Sequence, residues 1–317
     1  MKPRVLVTEN IHKRGWDVLA QGAEAVAWEG EAKQPLIRAV ANVDAVLVRI
    51  AKLTAEVIAA GKQLKIIGKH GVGTDNIDIP AATRQGVLVT NTPQANSTSV
   101  AEHALTLLLA VARRLGEIER DLTQRKIRAQ KVYQGIELSG KVMGMIGLGS
   151  AGLRLARMTG QGLGMRVIGF DPYKSPWPEG VEQCRELRPL LTQADFISIH
   201  VPLTKETRNL IDAAALAAMK PTAVLVNTSR GGIVNENDIA AALKAGKLLG
   251  AGLDVVEDEP LKPEHSLNGI PNLILTPHMA GVTDEAMMHM AEDSAEDILR
   301  VLKGERPKYP VNRELVK

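Results

Sequence analysis

The glycines Gly147, Gly149 and Gly152, spaced G-x-G-x-x-G, limit the fold of this chain more than any other feature, because of what flanks them. They follow the strand-like run KVMGMI and open the helical run SAGLRLARM, and Asp171 closes the next strand-like run, MRVIGF. A strand, a glycine turn and a helix, with an acid about 20 residues further on, make one βαβ unit suited to a dinucleotide. Gly147 makes the tight turn, Gly149 lets the backbone approach a pyrophosphate, and Gly152 lets helix and strand pack closely. Ser150 and Ala151 complete the cradle at the positive end of the helix. A carboxylate at Asp171 accepts hydrogen bonds from ribose hydroxyls and repels a 2′-phosphate, which favours NAD over NADP. A tight structural turn beside a solvated aspartate would need the spacing, the strands and the acid to agree by accident.

This unit begins almost halfway along a chain of 317 residues, so a second body precedes it. Ahead of it the runs RVLVT, EAVAW, DAVLVR, KIIGK and GVLVTN alternate with amphipathic stretches such as HKRGWDVLAQG and LTAEVIAAG, the pattern of a parallel sheet covered on both faces. STSVAEHALTLLLAVARRL reads as one long helix, capped by Ser97 or Ser99 and apolar nearly all round. A helix of that kind lies between two domains or two subunits. From Lys141 six strand-like runs follow: KVMGMI, MRVIGF, DFISIH, TAVLVN, LLGAGLD and NLILT. NENDIAAALKAG is a helix capped by Asn235 or Asn237 and ended by Gly246. The last helix, TDEAMMHMAEDSAEDILRVLKG, stops at Gly304 and leads the chain back to the first domain. The expectation is α/β, with two doubly wound parallel-sheet domains: a Rossmann NAD domain over 98–282, inserted into a flavodoxin-like substrate-binding domain over 1–97 and 283–317.

Composition removes several alternatives. With two Phe, three Trp and three Tyr, the core must be packed from Val, Leu, Ile, Ala and Met, and a platform for stacking single-stranded nucleic acid is improbable. The one dense basic stretch, RRLGEIERDLTQRKIRAQK, is interrupted by acids and reads as a solvated helical face, so no nucleic-acid partner is expected. Cys184 is the single cysteine, which excludes an intrachain disulfide and fits a reducing compartment. The N-terminus enters a strand directly, and no run approaches the ~18 apolar residues of a membrane span. A cytoplasmic protein with no membrane partner and no metal site is expected.

Reduction of a carbonyl by hydride needs a proton donor, and histidine supplies one most readily. His12, His103 and His289 lie in helical patterns and His265 in a polar loop, where packing or solvent accounts for each. His70, His200 and His278 stand at the carboxyl ends of strand-like runs, where open parallel sheets place their ligands. Pro277 stiffens the turn holding His278, and no helix begins until about Thr283. Glu259, in GLDVVEDEP, ends the preceding strand region, and a carboxylate beside an imidazole favours the imidazolium. Arg230, in VLVNTSRGG, carries a forked guanidinium that suits the planar carboxylate and carbonyl of a 2-oxo acid. On spacing alone, a capped histidine, a solvated glutamate and an arginine salt bridge explain the same residues about as well.

The segments GVGTDNIDIPAATRQGVLVTNTP, AEHALTLLLA, GKVMGMIGLGSAG, HVPLTKETRNLI, LVNTSRGGIVNE, AGLDVVEDEP and LTPHMAG, in that order, resemble the D-isomer-specific 2-hydroxyacid dehydrogenase family over nearly the whole chain. The resemblance implies that Arg230, Glu259 and His278 are the catalytic set. It places Asp254 near the nicotinamide carboxamide, with His200, Pro202, Thr207 and Thr228 among the cofactor contacts. It also implies that backbone amides around Gly71, Val72 and Gly73 hold the substrate carboxylate, that Arg49 and His70 belong to the substrate site, and that the helix from Ser97 forms a homodimer interface. The cleft between the domains then closes over NAD. Glu259 argues against the formate dehydrogenase branch, where a glutamine stands in its place.

The chain looks most like the phosphoglycerate dehydrogenase and hydroxypyruvate reductase branches, so that 3-phosphoglycerate, glycerate or hydroxypyruvate, glyoxylate and sulfolactate are the candidate substrates. Two departures bear on a phosphate. Ile50 and Ala51 follow Arg49 where hydroxyl residues are common and the segment is one residue shorter, and the chain ends at Lys317 without the regulatory extension some of these enzymes carry. Arg49, Lys52, Lys69 and His70 remain available for an anionic tail. The alternative class is a non-catalytic, NAD-sensing binding protein of the same fold, against which the intact Arg230, Glu259 and His278 count.

Overall fold

The protein, described as a computed structural model over residues 2–316, divides into two compact units. Met1–Asn96 with Val282–Lys317 form the first, and Ser97–Gly281 the second.

In the first unit the strands β1 (Arg4–Val7), β2 (Glu24–Ala27), β3 (Ala45–Val48), β4 (Ile66–Lys69) and β5 (Leu88–Thr90) pair in parallel in the order β2-β1-β3-β4-β5. β3 and β4 are buried along their whole length, so they read as apolar runs without alternation. One aliphatic layer, including Val46, Ile67 and Val89, covers one face, and another, including Leu47, Ile66 and Ile298, covers the other. The helix Asp284–Leu302, capped by Thr283, belongs to this unit and settles directly on β4. A Cβ on Gly68 would come within 2.7 Å of Ile298, so glycine is what allows helix and strand to approach this closely.

In the second unit β6 (Val142–Ile146), β7 (Arg166–Phe170), β8 (Glu182–Gln183), β9 (Phe196–Ile199), β10 (Val224–Asn227), β11 (Gly250–Leu253) and β12 (Leu273–Leu275) form a parallel sheet in the order β12-β11-β10-β9-β6-β7-β8. Six strands coincide with the six apolar runs. The seventh, β8, is two exposed polar residues on the edge beyond β7 and has no hydrophobic signature to read. Phe196 is the bulkiest fully buried side chain, and the others of that class are Leu, Ile and Met. The helix Glu236–Lys244 is capped by Asn235, whose side chain accepts from Asp238, and the chain leaves it through Gly246 at φ 64°.

The long helix differs from expectation. It spans Ser97–Ala112, then Arg114 turns left-handed at φ 54° and a new helix, Leu115–Thr123, begins. Two contacts favour the break: the amide of Ile136 captures the Ala112 carbonyl, and the Arg114 guanidinium pairs with buried Glu117 at 2.6 Å. The first helix packs on β11, where a Cβ on Gly252 would meet Leu107 at 2.9 Å. One face of it, with Glu102, Thr106 and Leu109, is exposed. Leu115, Leu122, Ile127 and Val132 are exposed further along. Among the described residues no helix is long and apolar enough to cross a membrane.

Candidate active site

The glycine turn after β6 has the geometry a pyrophosphate needs. Gly147 sits at φ 91°, where an added Cβ would lie 2.5 Å from the His200 carbonyl, and a Cβ on Gly152 would lie 2.3 Å from the Gly147 carbonyl. A Cβ on Gly149 would meet nothing within 4 Å, so that face is open. Gly149 is also the N-cap of the helix Ser150–Arg157 and offers no side-chain acceptor, which leaves the first-turn amides beside Ser150 and Ala151 to an outside anion. Asp171 Oδ2 accepts from the Leu148 amide at 2.9 Å and Oδ1 from Tyr173 at 3.0 Å. The carboxylate thus fixes the glycine turn itself, and its remaining lone pairs are what a ribose can use.

Across the switch point from β6, enclosure of the His200 ring pushes its pKa down to about 4, and its Nε2 lies 2.8 Å from Ser198 Oγ. Thr207 donates to the Pro202 carbonyl at 2.6 Å and accepts from Thr204, closing that turn. Thr228 Oγ1, at the end of β10, is buried with no hydrogen-bond partner among the described residues. An open glycine face, an uncapped helix start, a ribose acceptor and an orphaned hydroxyl together fit a dinucleotide.

Three further turns carry the polar residues. After β10, Ser229 donates to Asn227 Oδ1 and to the Ile199 carbonyl, and Asn227 Nδ2 donates to the Arg230 carbonyl, which fixes the backbone from which Arg230 projects. The Arg230 guanidinium donates to the Ser229 carbonyl at 2.7 Å. Gly231 then presses on the turn after β11: a Cβ there would fall 2.0 Å from the Val256 carbonyl. That turn leads to Glu259.

After β12 the chain reaches His278 at φ 56°, a left-handed conformation that costs a non-glycine residue about 1–2 kcal/mol. Asp254, at the end of β11 and 1% exposed, holds it there. Its backbone carbonyl accepts from the His278 amide at 2.8 Å. Its Oδ1 accepts from Thr276 Oγ1 at 2.5 Å and Met279 N at 2.8 Å, and its Oδ2 from Ala280 N at 2.8 Å. Burial alone would raise the carboxyl pKa, but hydrogen bonds from His103, Thr276 and the two amides hold it below the ordinary range. So presented, His278 Nδ1 lies 2.9 Å from Glu259 Oε2, with side chains 48% and 40% exposed and therefore open to a ligand. Its Nε2 makes no hydrogen bond among the described residues.

His103, which the helical pattern assigns to packing or solvent, also reaches this turn. Its Nε2 is 3.0 Å from Thr276 Oγ1 and 3.4 Å from Asp254 Oδ1. Nothing in the sequence signals this contact except a histidine in a largely apolar helix.

Residues 105–280 match the family profile described as D-isomer specific 2-hydroxyacid dehydrogenase, NAD binding domain. A glyoxylate reductase of Korarchaeum cryptofilum is 39% identical over 327 residues, covering 100% of this chain and 98% of the relative. The chain belongs to the D-isomer-specific 2-hydroxyacid dehydrogenase family. A D-3-phosphoglycerate dehydrogenase of Synechocystis is 41% identical over 312 residues, 98% of this chain but 56% of the relative, so the chain spans little more than half of that protein. The TT0316 protein of Thermus thermophilus superposes with a TM-score of 0.89 at 35% identity, covering 97% of this chain and 99% of that one.

The other residues expected in a dehydrogenase of this family lie at the carboxyl ends of β3 and β4. The Lys69 ammonium is tied to the Arg49 carbonyl and to Asn76 Oδ1. His70 is 2% exposed, neither ring nitrogen has a well-formed hydrogen bond, and burial followed by the Arg49 charge pushes its pKa down to about 4, with weak backbone contacts such as Met287 opposing. A ring so placed is neutral near pH 7 and keeps one N–H to donate. Gly71 takes φ 132° and gives its amide to Thr92 Oγ1, which leaves the amides of Val72 and Gly73 without partners among the described residues.

Proposed function

We propose that this chain catalyses hydride transfer between NAD and C2 of a small 2-hydroxy or 2-oxo acid, with His278 as acid and base, Glu259 as its partner and Arg230 as the ligand of the substrate carboxylate and carbonyl. The observation that carries the reading is the 2.9 Å contact between His278 Nδ1 and Glu259 Oε2, in a turn held left-handed by Asp254. Bound NADH supplies the hydride. His278 delivers the proton from Nε2 to the carbonyl oxygen, and Glu259 at Nδ1 orients the ring and favours the imidazolium that must give it up. The Arg230 fork pairs with the planar carboxylate; in the first unit, the amides of Val72 and Gly73 are donors open to an anion. Asp171 disfavours a 2′-phosphate, which makes NAD the preferred coenzyme. The exposed Leu109, Leu115, Leu122, Ile127 and Val132 suit a second copy of the chain, giving a homodimer. The single cysteine fits a reducing, cytoplasmic setting.

The test is NADH oxidation with glyoxylate, hydroxypyruvate, phosphohydroxypyruvate, 2-oxoglutarate and sulfopyruvate. His278→Gln should lower kcat by ~10²–10⁴-fold and leave the NADH dissociation constant nearly unchanged. A parent protein that binds NADH and turns over none of these acids would leave the sensing role instead.

A further inference from the structure

The strand order of the first unit reverses between β1 and β3, and the crevice outside such a switch point is where open parallel sheets bind their ligands. In this protein a side chain of its own lies there. β1 runs out into Thr8 and Glu9, and β3 into Arg49, Ile50 and Ala51. Three successive amides of the second turn converge on one carboxylate: Glu9 Oε2 accepts from Arg49 N at 2.8 Å, and Oε1 from Ile50 N at 3.0 Å and Ala51 N at 2.5 Å. The Thr8 hydroxyl adds a fourth bond, to Oε2 at 2.5 Å. Consecutive amides aimed at one point make a nest for an anion, and Glu9 fills it.

Of the four basic residues of this region, Arg49 lies in the turn and Lys52 directly follows it. Lys69 is bound to the Arg49 carbonyl and Asn76, and His70 carries no charge near neutral pH. Ile50 and Ala51 bring no hydroxyl to the turn.

We infer that Glu9 determines substrate specificity: its carboxylate takes the place that a phosphate, sulfonate or second carboxylate of the substrate would occupy in this turn. The favoured 2-oxo acids are then those with hydrogen or hydroxymethyl beyond the carbonyl, and a tail anion must displace Glu9 or lie against a like charge. Built-in repulsion of this kind is a common source of selectivity. The inference rests on the dehydrogenase reading above.

The experiment compares kcat/KM for hydroxypyruvate, glyoxylate and 3-phosphohydroxypyruvate in the parent, Glu9→Ser and Glu9→Asp. The parent should favour hydroxypyruvate over its phosphate ester by at least about tenfold. Glu9→Ser, which opens the three amides, should improve the phosphate ester by about ten- to a hundredfold, as one charge-assisted hydrogen bond can supply, with little change for glyoxylate. Glu9→Asp keeps the charge and should not gain. Thermal stabilisation by inorganic phosphate is measured alongside, because it needs no turnover: Glu9→Ser should gain it and the parent should lack it. A parent that reduces both hydroxypyruvates equally well overturns the inference, whether or not the serine variant folds. So does a folded Glu9→Ser that gains neither phosphate binding nor the ester. Failure of turnover with every acid would sink the dehydrogenase reading alone and leave the phosphate measurement to decide for Glu9.

Discussion

Asp254→Asn asks whether one buried carboxylate holds the histidine turn. In the native protein Oδ1 accepts from Thr276 and Met279, and Oδ2 from Ala280. An asparagine has one oxygen to offer. Placed where Oδ1 now lies, it keeps Thr276 and Met279, and its NH2 then faces the Ala280 N–H, two donors in a site that is 1% exposed. A lost charge-assisted bond of about 1.5–3 kcal/mol is joined by an unsatisfied buried donor worth about 1–3 kcal/mol. The loss, about 2.5–6 kcal/mol, exceeds the roughly 1–2 kcal/mol that left-handed His278 stores. The turn should therefore relax, and His278 should move off Glu259. The expected result is a kcat lowered by about 10²-fold or more, since a misplaced acid costs that much, together with a lower Tm. Steady-state kinetics with glyoxylate and NADH, NADH binding by fluorescence and a thermal melt separate the effects. Asp254→Asn with kcat within threefold of the parent would refute the reasoning.

Other perturbations give different signatures. Gly231→Ala drives a methyl into the Val256 carbonyl and should separate the Arg230 and Glu259 turns, lowering kcat/KM for the oxo acid while NADH binding holds; equal losses in both would point to general unfolding. Gly152→Ala, whose Cβ would strike the Gly147 carbonyl, should abolish NADH binding in a fluorescence titration, whereas Gly149→Ala, with open space at its Cβ, should weaken it and leave the melting temperature unchanged. His70 has a folded pKa near 4 against 6.5 unfolded, so between those values the unfolded state binds more protons. Its contribution is intact above pH 6.5 and falls by about 3 kcal/mol on acidification to pH 4. His70→Gln should flatten the pH dependence of urea unfolding in that window, and an unchanged slope would count against a neutral buried ring.

Much of the fold was legible because parallel strands buried on both faces announce themselves. AVLV at β3 and VLVN at β10 are continuous apolar runs between helical patterns, and their order places the helix Asp284–Leu302 back on the first sheet. What was hidden lacked that signal. β8 is Glu182–Gln183, held only by its pairing with β7. The break at Arg114 is decided by Glu117 and by the Ile136 amide, and the apolar pattern runs on through it to Leu115.

The candidate site divides along the same physical line. Arg230, Glu259 and His278 stand at strand ends, and strand ends can be read from sequence. The carboxylates that fix the turns at other strand ends act mostly through backbone amides: Asp254 on Met279 and Ala280, Asp171 on Leu148, Glu9 on Arg49, Ile50 and Ala51. Almost any residue type supplies an N–H, so such a contact leaves a chemical mark at only one of its two ends, and that end looks like any solvated carboxylate. A pair of side chains such as His278 and Glu259 marks both. The residues that shape a parallel-sheet site without touching the reacting atoms are therefore the ones sequence conceals. Glu9 is the sharpest case, because the turn it fills shows in the sequence only as a segment one residue short that lacks hydroxyls, which is an absence of one anion ligand and not the presence of another.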